Sequence, residues 1–516
     1  MLKLKLDSLD WALNLALKYR DTDIFPSVFE FEAIQHNNSL ISKLADENVL
    51  EWSVRGLRKC LTPKHRYGFR VATQLDPLDF LIYTALVYEI GSDLENRRIP
   101  INEGIVHSYR FSPNAEGQIY DVSFNYSSFN ERTKQILQDS NFKYVLVADI
   151  ADFFPKIYTH RVENALRLAT TRTNHAKAIN DLIKQWNFTV SYGIPVRPTV
   201  SRLIAEVTIS DVDQALLSEK ITYVRFSDDF RIFCRSQREA YRYLVFLANV
   251  LFDSHGLTLQ QHKTRILTTE LFEENYLYSE DKRVLRGLSK KFNEIVPHIG
   301  YEKIRWTDLT SEQQSQIQSL SLVEILQEQA SSEEIDVALC RKVLQILTQL
   351  DDAEAISIVS NNIDNLYPVF PYVVDYIKSV SFIEPQRKIE IGTKMRKLLD
   401  DSNISHLEFH RMWLLSIFSQ NAGFNQEQEF ATLHSKYTDS FSSRELILGL
   451  GSSHQDYWFS SRKQKVFELE PWQRRAVLFA GSCMGVDERK HWYDFLEPRL
   501  DPLELAVTKF ARANPI

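Results

Sequence analysis

The chain has 516 residues, of which 44% are hydrophobic and 25% charged, which excludes a disordered chain and indicates two or three folded domains. No apolar run approaches the roughly 20 residues that a membrane-spanning helix needs. Asp7 and Asp10 interrupt the N-terminal apolar segment, so we expect a cytoplasmic protein without a signal peptide or membrane contact. The net charge of −7 is uneven: residues 306–516 carry 21 basic and 30 acidic side chains, whereas residues 1–305 carry 40 and 38. We therefore place a domain boundary near residues 280–305.

The first functional candidates follow an N-terminal segment, residues 1–60, whose apolar spacing is mostly helical. Next comes a basic, aromatic stretch that leads into an apolar helix beginning near Pro77. Arg70 lies among apolar neighbours in a predicted strand, so its guanidinium is expected to have a fixed anionic partner. Lys64 is equally consistent with a solvated loop and with a functional role.

A polar loop is predicted up to about Lys143, followed by the apolar run YVLVADI, which predicts a buried strand ending at Asp149. A buried strand seldom ends in a carboxylate that lacks a partner or a metal ion. A capping or turn role is the alternative, because Pro155 shows that the chain turns here.

The next segment carries polar residues at the start of a predicted helix. Gly193 and Pro195 predict a rigid turn before a helix whose N-terminal end carries Ser201 and Arg202. Such an end offers free backbone N–H groups to an anion or a base edge.

The run ITYVRFSDDFRIFCR, residues 221–235, predicts a hairpin with Asp228 and Asp229 at its tip. An ordinary surface turn is the alternative, because Ser and Asp are common turn residues. A capped helix should follow from Ser236 to Gly256, and then short strands with Lys263 between them.

The order of elements from 144 to 267 predicts an α+β layer with helices over one face of an antiparallel sheet. In such a sheet Asp149 and Asp228 can converge although they are far apart along the chain. From about residue 310 the pattern is almost entirely helical, which predicts a stacked helical-repeat array.

Taken together, five ordered motifs resemble those of reverse transcriptases over roughly residues 64–267: Arg70, DIADFF at 149–154, GIPVRPTVSRLIAE at 193–206, FSDDF at 226–230 and GLTLQQHKT at 256–264. The resemblance implies a right-hand polymerase with fingers and palm. Asp149 and Asp228 would hold two Mg²⁺ ions, with Ile150 included in the metal site and Asp229 adjacent. Mg²⁺ prefers carboxylate oxygens and water as ligands.

The resemblance also implies how dNTPs would be bound. Phe154 matches the aromatic residue that stacks under the incoming sugar and excludes a 2′-hydroxyl. Arg70, Arg110 and Lys64 would neutralise the triphosphate, and Ser201 is a further nucleotide-binding candidate. Lys263 matches a basic position near the leaving group, where it would act as a catalytic acid or charge clamp.

The third motif departs from that of most templated reverse transcriptases at Val196, Arg197, Ser201, Arg202 and Glu206. This form, followed by a long helical half, resembles the abortive-infection reverse transcriptases of bacterial anti-phage defence. That resemblance implies untemplated DNA synthesis primed by a tyrosine, a single-stranded DNA product attached to the protein, and a homo-oligomer in the bacterial cytoplasm.

The expected organisation is a helical segment at 1–60, reverse-transcriptase-like fingers and palm at 61–280, and an all-α, HEAT-like repeat domain at 281–516. The priming residue stays open among 22 tyrosines, with Tyr19, Tyr109, Tyr192 and Tyr278 equivalent by sequence. Two alternative functions also stay open. One is a templated RNA-directed DNA polymerase, and the other is a catalytically silent nucleotide-sensing scaffold.

Overall fold

The computed structural model describes residues 1–22, 24–65, 68–277, 288–296, 306–332, 335–381, 383–400, 402–424 and 427–516. The N-terminal part forms three helices, then an antiparallel hairpin, and then two more helices: α1 Leu6–Tyr19, α2 Glu30–His36, α3 Ser39–Asp46, β1 Leu57–His65, β2 Gly68–Leu75, α4 Pro77–Arg97 and α5 Tyr126–Leu137. The long helix α4 begins at the residue predicted from sequence, with Asp76 as its N-cap and Pro77 in its first turn.

The centre of this half is a four-stranded antiparallel sheet in the order β4-β5-β3-β6. Its strands are β3 Tyr144–Asp149, β4 Tyr223–Phe226, β5 Asp229–Cys234 and β6 Arg265–Thr268. The helices between and after them are α6 Phe153–Lys156, α7 Thr159–Ala169, α8 Thr173–Trp186, α9 Ser201–Thr208, α10 Ser210–Ser218, α11 Gln237–His255 and α12 Thr269–Phe272.

Alternate residues of the central strands point to opposite faces, and both faces are covered. Leu146 and Phe230 belong to a large core that they share with α7 to α11. Val145 and Phe233, on the other face, pack with Phe129 of α5 in a smaller core. The prediction that helices cover one face only was therefore wrong, because the strands are apolar on both faces and each face must be buried.

Helix α5 lies in the segment that the sequence predicted to be a polar loop. Its apolar positions are few, but Phe129 and Thr133 are one helical turn apart and both are fully buried. An Asn125–Ser128 capping box starts the helix. Its packing against β4 and β5 supplied the stability that the local polar pattern did not indicate.

From Leu288 onward, every regular element in the described part of the chain is helical. The α-helices are α13 Leu288–Ile295, α14 Ser311–Gln318, α15 Leu322–Ala330, α16 Val337–Leu350, α17 Ile356–Asn361, α18 Ile363–Leu366, α19 Phe370–Ser379, α20 Pro385–Lys397, α21 Asn403–His406, α22 Glu408–Gln420, α23 Glu427–Lys436, α24 Ser440–Ser452, α25 Asp456–Ser460, α26 Pro471–Ala480, α27 Val486–Leu496 and α28 Pro502–Ala513. A HEAT-like repeat within this array stays a prediction. The predicted boundary at 280/281 lies outside the described residues.

Buried ion pairs join the C-terminal helices to the N-terminal half. Glu30 accepts from Arg444 at 2.7 Å and from Arg475 at 3.0 Å, and Arg475 also pairs with Asp76 at 2.9 Å. These four side chains are 0–2% exposed. The base of the β1–β2 hairpin is thereby fixed to the helical half.

Within the described ranges, no helix is long and apolar enough to span a bilayer.

Candidate active site

Asp149 and Asp229 lie side by side at one end of the central sheet. Asp149 is the last residue of β3, Asp229 is the first residue of β5, and the two are direct partners in the antiparallel register. Directly paired residues point to the same face, so both carboxylates leave the sheet on the face that α5 also covers. The sheet therefore brings together two acids that are 80 positions apart.

Asp228 occupies the turn between β4 and β5, next to Ser227. Its carbonyl accepts from the N–H of Ile150 at 3.1 Å, which holds the turn against the end of β3. Ser227 has a positive φ of 56°, which is uncommon for a residue other than glycine.

The three aspartates repel one another. Burial first, and then the charge of Asp149, raise the pKa of Asp228 to about 6. Burial and the charges of Asp228 and Asp149 raise the pKa of Asp229 to about 8. Neighbouring like charges and desolvation both make ionisation of these carboxyl groups unfavourable, and a bound cation would relieve that cost.

Lys263 places one positive charge beside these aspartates. Its ammonium group forms an ion pair with Asp149 Oδ2, while the side chain stays 46% exposed. Partial burial opposes protonation, but the hydrogen bond and charge of Asp149 raise the pKa of Lys263. Lys263 is therefore a protonated group at the edge of the acid cluster.

The β1–β2 hairpin brings further basic residues toward the acids. Lys64 is exposed on β1, and its charge acts to lower the pKa of Asp228. Arg70 lies on β2, half-buried and paired in register with Thr62. The N–H of Thr73, on the same strand, donates to Val196 at 3.0 Å, so the hairpin is joined to the loop that precedes α9.

Phe154 lies two residues into α6, soon after Asp149. Its ring packs edge-on against buried Phe153, with 5.5 Å between the ring centroids, and stays partly exposed. Its carbonyl accepts from the N–H of Ile194 at 3.1 Å. The start of α6 is therefore tied to the segment before α9.

Two of the predicted nucleotide-binding residues are fully buried. Arg110 is 0% exposed, with its guanidinium bonded to Glu95 at 2.8 Å and to the Val106 carbonyl at 3.0 Å. Ser201 is also 0% exposed, and its hydroxyl lies 3.3 Å from the Tyr83 hydroxyl. Neither placement fits the predicted contact with a nucleotide, because both polar groups are directed into the protein interior.

The sequence did not indicate Tyr126 as a residue of this region. The first residue of α5, it stacks edge-on with Phe226, and its hydroxyl accepts from Arg231 at 3.4 Å. Burial, and to a lesser extent the charge of Asp229, raise the pKa of Tyr126. Only the packing of α5 on the sheet brings this residue near the acids, so no local signal could have identified it.

Among the residues that the structure describes, no group of three His, Cys, Asp or Glu side chains is arranged to hold a metal ion directly. The chemistry of the cluster nevertheless suits Mg²⁺, because Asp149, Asp228 and Asp229 provide carboxylate oxygens whose mutual repulsion a divalent cation would relieve. The buried side chain of Ile150 is a hydrocarbon without ligand atoms, so Ile150 can offer a cation only its main-chain carbonyl.

An antiparallel sheet with carboxylates at one end, flanked by lysines, is the arrangement of a nucleotidyltransferase of the polymerase type. Residues 106–326 match the family described as "Reverse transcriptase (RNA-dependent DNA polymerase)". The chain therefore contains a reverse transcriptase domain, and such domains generally use Mg²⁺. A comparison with curated proteins finds no match.

Among solved structures, the chain is similar to telomerases of two Candida species. Telomerase from Candida albicans in complex with a TWJ fragment of telomeric RNA is 13% identical, with a TM-score of 0.30 over 72% of this chain and 68% of that one. Apo telomerase from Candida tropicalis is 12% identical, with a TM-score of 0.28 over 74% and 73%. The Candida tropicalis complex with the same RNA fragment is 10% identical, with a TM-score of 0.32 over 90% and 68%. Similarity this remote identifies no activity.

Proposed function

We propose that this protein is a Mg²⁺-dependent DNA polymerase of the reverse-transcriptase type that adds dNTPs to a protein tyrosine without copying a template. The observation that carries the proposal is the cluster of Asp149, Asp228 and Asp229 at the end of the central sheet, within the segment that matches the family. With Mg²⁺ bound, such a site would supply positive charge that lowers the pKa of an attacking hydroxyl and stabilises the leaving pyrophosphate.

The surrounding residues have distinct roles in this proposal. Asp149 and Asp228 would hold the ions, with the Ile150 carbonyl as a further ligand and Asp229 as the adjacent acid. The protonated Lys263 clamps charge near the leaving group. The β1–β2 hairpin offers Lys64 and Arg70 to the triphosphate. Phe154 excludes a ribose 2′-hydroxyl.

Two features support untemplated synthesis. Glu206, on the helix that would face a templating base, is instead buried in ion pairs with Arg98 and Arg225. The chain also has a net charge of −7, whereas a polymerase that grips a long duplex needs many phosphate contacts. A DNA product tethered to a tyrosine of its own enzyme needs no such grip.

The resemblance to abortive-infection reverse transcriptases supports the remaining parts of the proposal. These are a role in bacterial defence against phage, a cytoplasmic homo-oligomer, and the division into residues 1–60, 61–280 and 281–516 with HEAT-like repeats in the last. The priming tyrosine stays open, and Tyr278 lies outside the described residues.

The test is to incubate purified protein with Mg²⁺ and dNTPs but no primer or template, and to look for DNA that resists denaturants. We expect a mass increase that nuclease removes and that Asp228→Ala abolishes. Asp253→Asn, an exposed acid on α11, is the matched control and should retain the increase. Mass spectrometry after nuclease digestion would identify the priming residue. If no metal or nucleotide combination produces a mass shift, the proposal is wrong.

A templated RNA-directed DNA polymerase is the second candidate, and the description of the matching family favours it. In that case synthesis should depend on added RNA and primer. The product sequence distinguishes the two, because a templated enzyme yields the complement of the nucleic acid supplied.

A further inference from the structure

We propose that Ser108 and Arg225 are positioning residues that hold the Ser227–Asp228 turn in the shape that binds metal. This inference rests on the proposed function, because it concerns how the chain prepares the same acid cluster. It adds two residues that neither the sequence motifs nor the family match assigns.

The turn needs support because of its backbone. Ser227 has a φ of 56°, in the left-handed region where a side chain is disfavoured. A residue in such a conformation persists when its surroundings determine it, and such residues cluster at functional sites. A serine at this position therefore requires specific contacts to stay in place.

Both backbone polar groups of Ser227 are held by buried side chains. Its N–H donates to Ser108 Oγ at 2.9 Å, and its carbonyl accepts from Arg225 Nη1 at 2.8 Å. Ser108 and Arg225 are each 0% exposed. The residue immediately before Asp228 is therefore hydrogen-bonded on both sides by fully buried side chains.

Glu206 connects the two gripping residues. Ser108 Oγ donates to Glu206 Oε1 at 2.5 Å, and Arg225 pairs with Glu206 Oε2 at 3.0 Å. Arg98 pairs with the same oxygen at 2.9 Å. Burial opposes ionisation, but the charges of Arg225 and Arg98 lower the pKa of Glu206, so it stays a carboxylate that accepts from Ser108.

Asp213 fixes the guanidinium of Arg225 from another side. It accepts from Arg225 Nε at 2.9 Å and from Nη2 at 2.6 Å, and it also accepts from the Tyr223 hydroxyl at 2.9 Å. A bidentate pair of this kind sets the direction of the guanidinium plane as well as its position. The remaining Nη1 group is thereby aimed at the Ser227 carbonyl.

The backbone around Ser108 is held as firmly as its side chain. The N–H of Arg225 donates to Ile105 at 2.8 Å, and the N–H of His107 donates to Arg225 at 2.9 Å. Residues 105–107 thus lie alongside β4 as an additional edge segment. Ser108 follows directly, and its hydroxyl lies within hydrogen-bonding distance of the N–H of Ser227.

These contacts fit preorganisation of the site better than stability alone. Buried ion pairs contribute little net stability, because desolvation offsets their attraction. They do fix geometry, and metal ligands act well only when neighbouring contacts hold their orientation. The side chain of Asp228 is one residue from the clamped Ser227, so a loosened turn would misplace a metal ligand.

The test measures Mn²⁺ binding by electron paramagnetic resonance on the nucleotide-free protein, together with DNA synthesis. Ser108→Ala should weaken Mn²⁺ binding about tenfold or more, because it leaves the buried N–H of Ser227 without its acceptor. The rate of dNTP addition should fall by a similar factor, while KM for dNTP changes less than about twofold. Ser210→Ala is the matched control, since it removes a buried hydroxyl that donates to the Val207 carbonyl, away from the acid cluster's turn.

Arg225→Lys is a second variant, which keeps the positive charge beside Glu206 and Asp213 but loses the guanidinium fork. Arg225→Lys should weaken Mn²⁺ binding by a similar factor. If Ser108→Ala does not fold, Arg225→Lys serves as the test in its place. If folded Ser108→Ala and Arg225→Lys both bind Mn²⁺ as tightly as the unsubstituted protein, the positioning role is refuted. If the unsubstituted protein neither binds Mn²⁺ nor makes DNA, the proposed function fails instead.

Discussion

Asp149 and Asp229 are direct cross-strand partners, the last residue of β3 opposite the first residue of β5. Like charges in this relationship destabilise a sheet. The ion pair between Lys263 and Asp149 relieves part of the repulsion, yet the pKa of Asp229 still rises to about 8, through burial first and then through Asp228 and Asp149. The end of the sheet is therefore under electrostatic stress that a bound cation would relieve.

Replacing Asp228 by Asn should separate stability from activity. The variant removes a buried carboxylate that Asp149 repels, so in the absence of Mg²⁺ at pH 8 we expect the free energy of unfolding to rise by about 1 kcal/mol. DNA addition should be lost, because a metal ligand is gone. Chemical denaturation and the primer-free synthesis assay measure the two effects. Asp253→Asn should change neither, and a destabilised Asp228→Asn would contradict the assignment.

The stabilising effect of Mg²⁺ should grow with pH. Asp229 has a folded-state pKa of about 8, above the ordinary value of 3.8, so the folded protein binds more protons than the unfolded chain between these values. The stability that protonated Asp229 contributes is therefore lost as pH rises from about 4 to 8. A bound cation would offset that loss, because it neutralises the ionised carboxylate. Thermal unfolding with and without Mg²⁺ should show a larger gain at pH 8 than at pH 6. Equal gains at both pH values, or the same trend in Asp229→Asn, would count against this account.

His410 should make the helical half sensitive to acid. Its ring is enclosed by Tyr367, Phe370 and Phe409, and burial lowers its pKa to about 4 from the ordinary 6.5. The unfolded chain binds the proton more readily, so stability falls as pH drops from 6.5 to 4, by up to about 3 kcal/mol. Unfolding of His410→Phe should lack this pH dependence. A wild-type profile in that variant would show that another group is responsible.

Phe154 should determine the sugar that the enzyme accepts. If its partly exposed ring lies under the incoming sugar, Phe154→Ala makes room for a 2′-hydroxyl. Ribonucleotide incorporation relative to deoxyribonucleotide should then rise at least about tenfold, equivalent to roughly 1.4 kcal/mol. Competition assays with labelled rATP and dATP measure the ratio. Phe153→Leu, which alters the buried neighbour, serves as control, and an unchanged ratio in Phe154→Ala would rule out contact with the sugar.

Two charged residues between the halves should respond differently to neutralisation. Glu30→Gln removes the common partner of Arg444 and Arg475, so we expect a loss of about 3–5 kcal/mol in the free energy of unfolding. Arg58 lies between the rings of Phe441 and Trp472, at 4.2 and 3.8 Å from their centroids.

Burial, and then the charge of Arg444, lower the pKa of Arg58 to about 9. Its surroundings therefore disfavour the charged guanidinium. Arg58→Met keeps much of the packing but leaves the buried Oε1 of Gln74 without its Arg58 donor, so we expect a loss of about 1–3 kcal/mol. Denaturant unfolding of both variants compares them. A larger loss for Arg58→Met than for Glu30→Gln would reverse the interpretation.

The sequence by itself determined most of the elements around the site and the chemistry of the acids. Strand β3 and the hairpin around Asp228 were predictable, because alternation and apolar runs are local properties of a strand. The helix α11, with its Ser236 N-cap and Gly256 stop, was predictable for the same reason. The ordered motifs, and not any single residue, identified a reverse transcriptase domain.

Only the tertiary structure decided which residues meet. Ser108 and Ser227 are 119 positions apart, and Arg110 and Ser201 turned inward although their residue types suit an anion. Helix α5 covered a face that had been expected to stay open. Periodicity reports only neighbours within a turn or a strand, whereas strand register, burial and buried ion pairs depend on residues that approach one another through the whole fold.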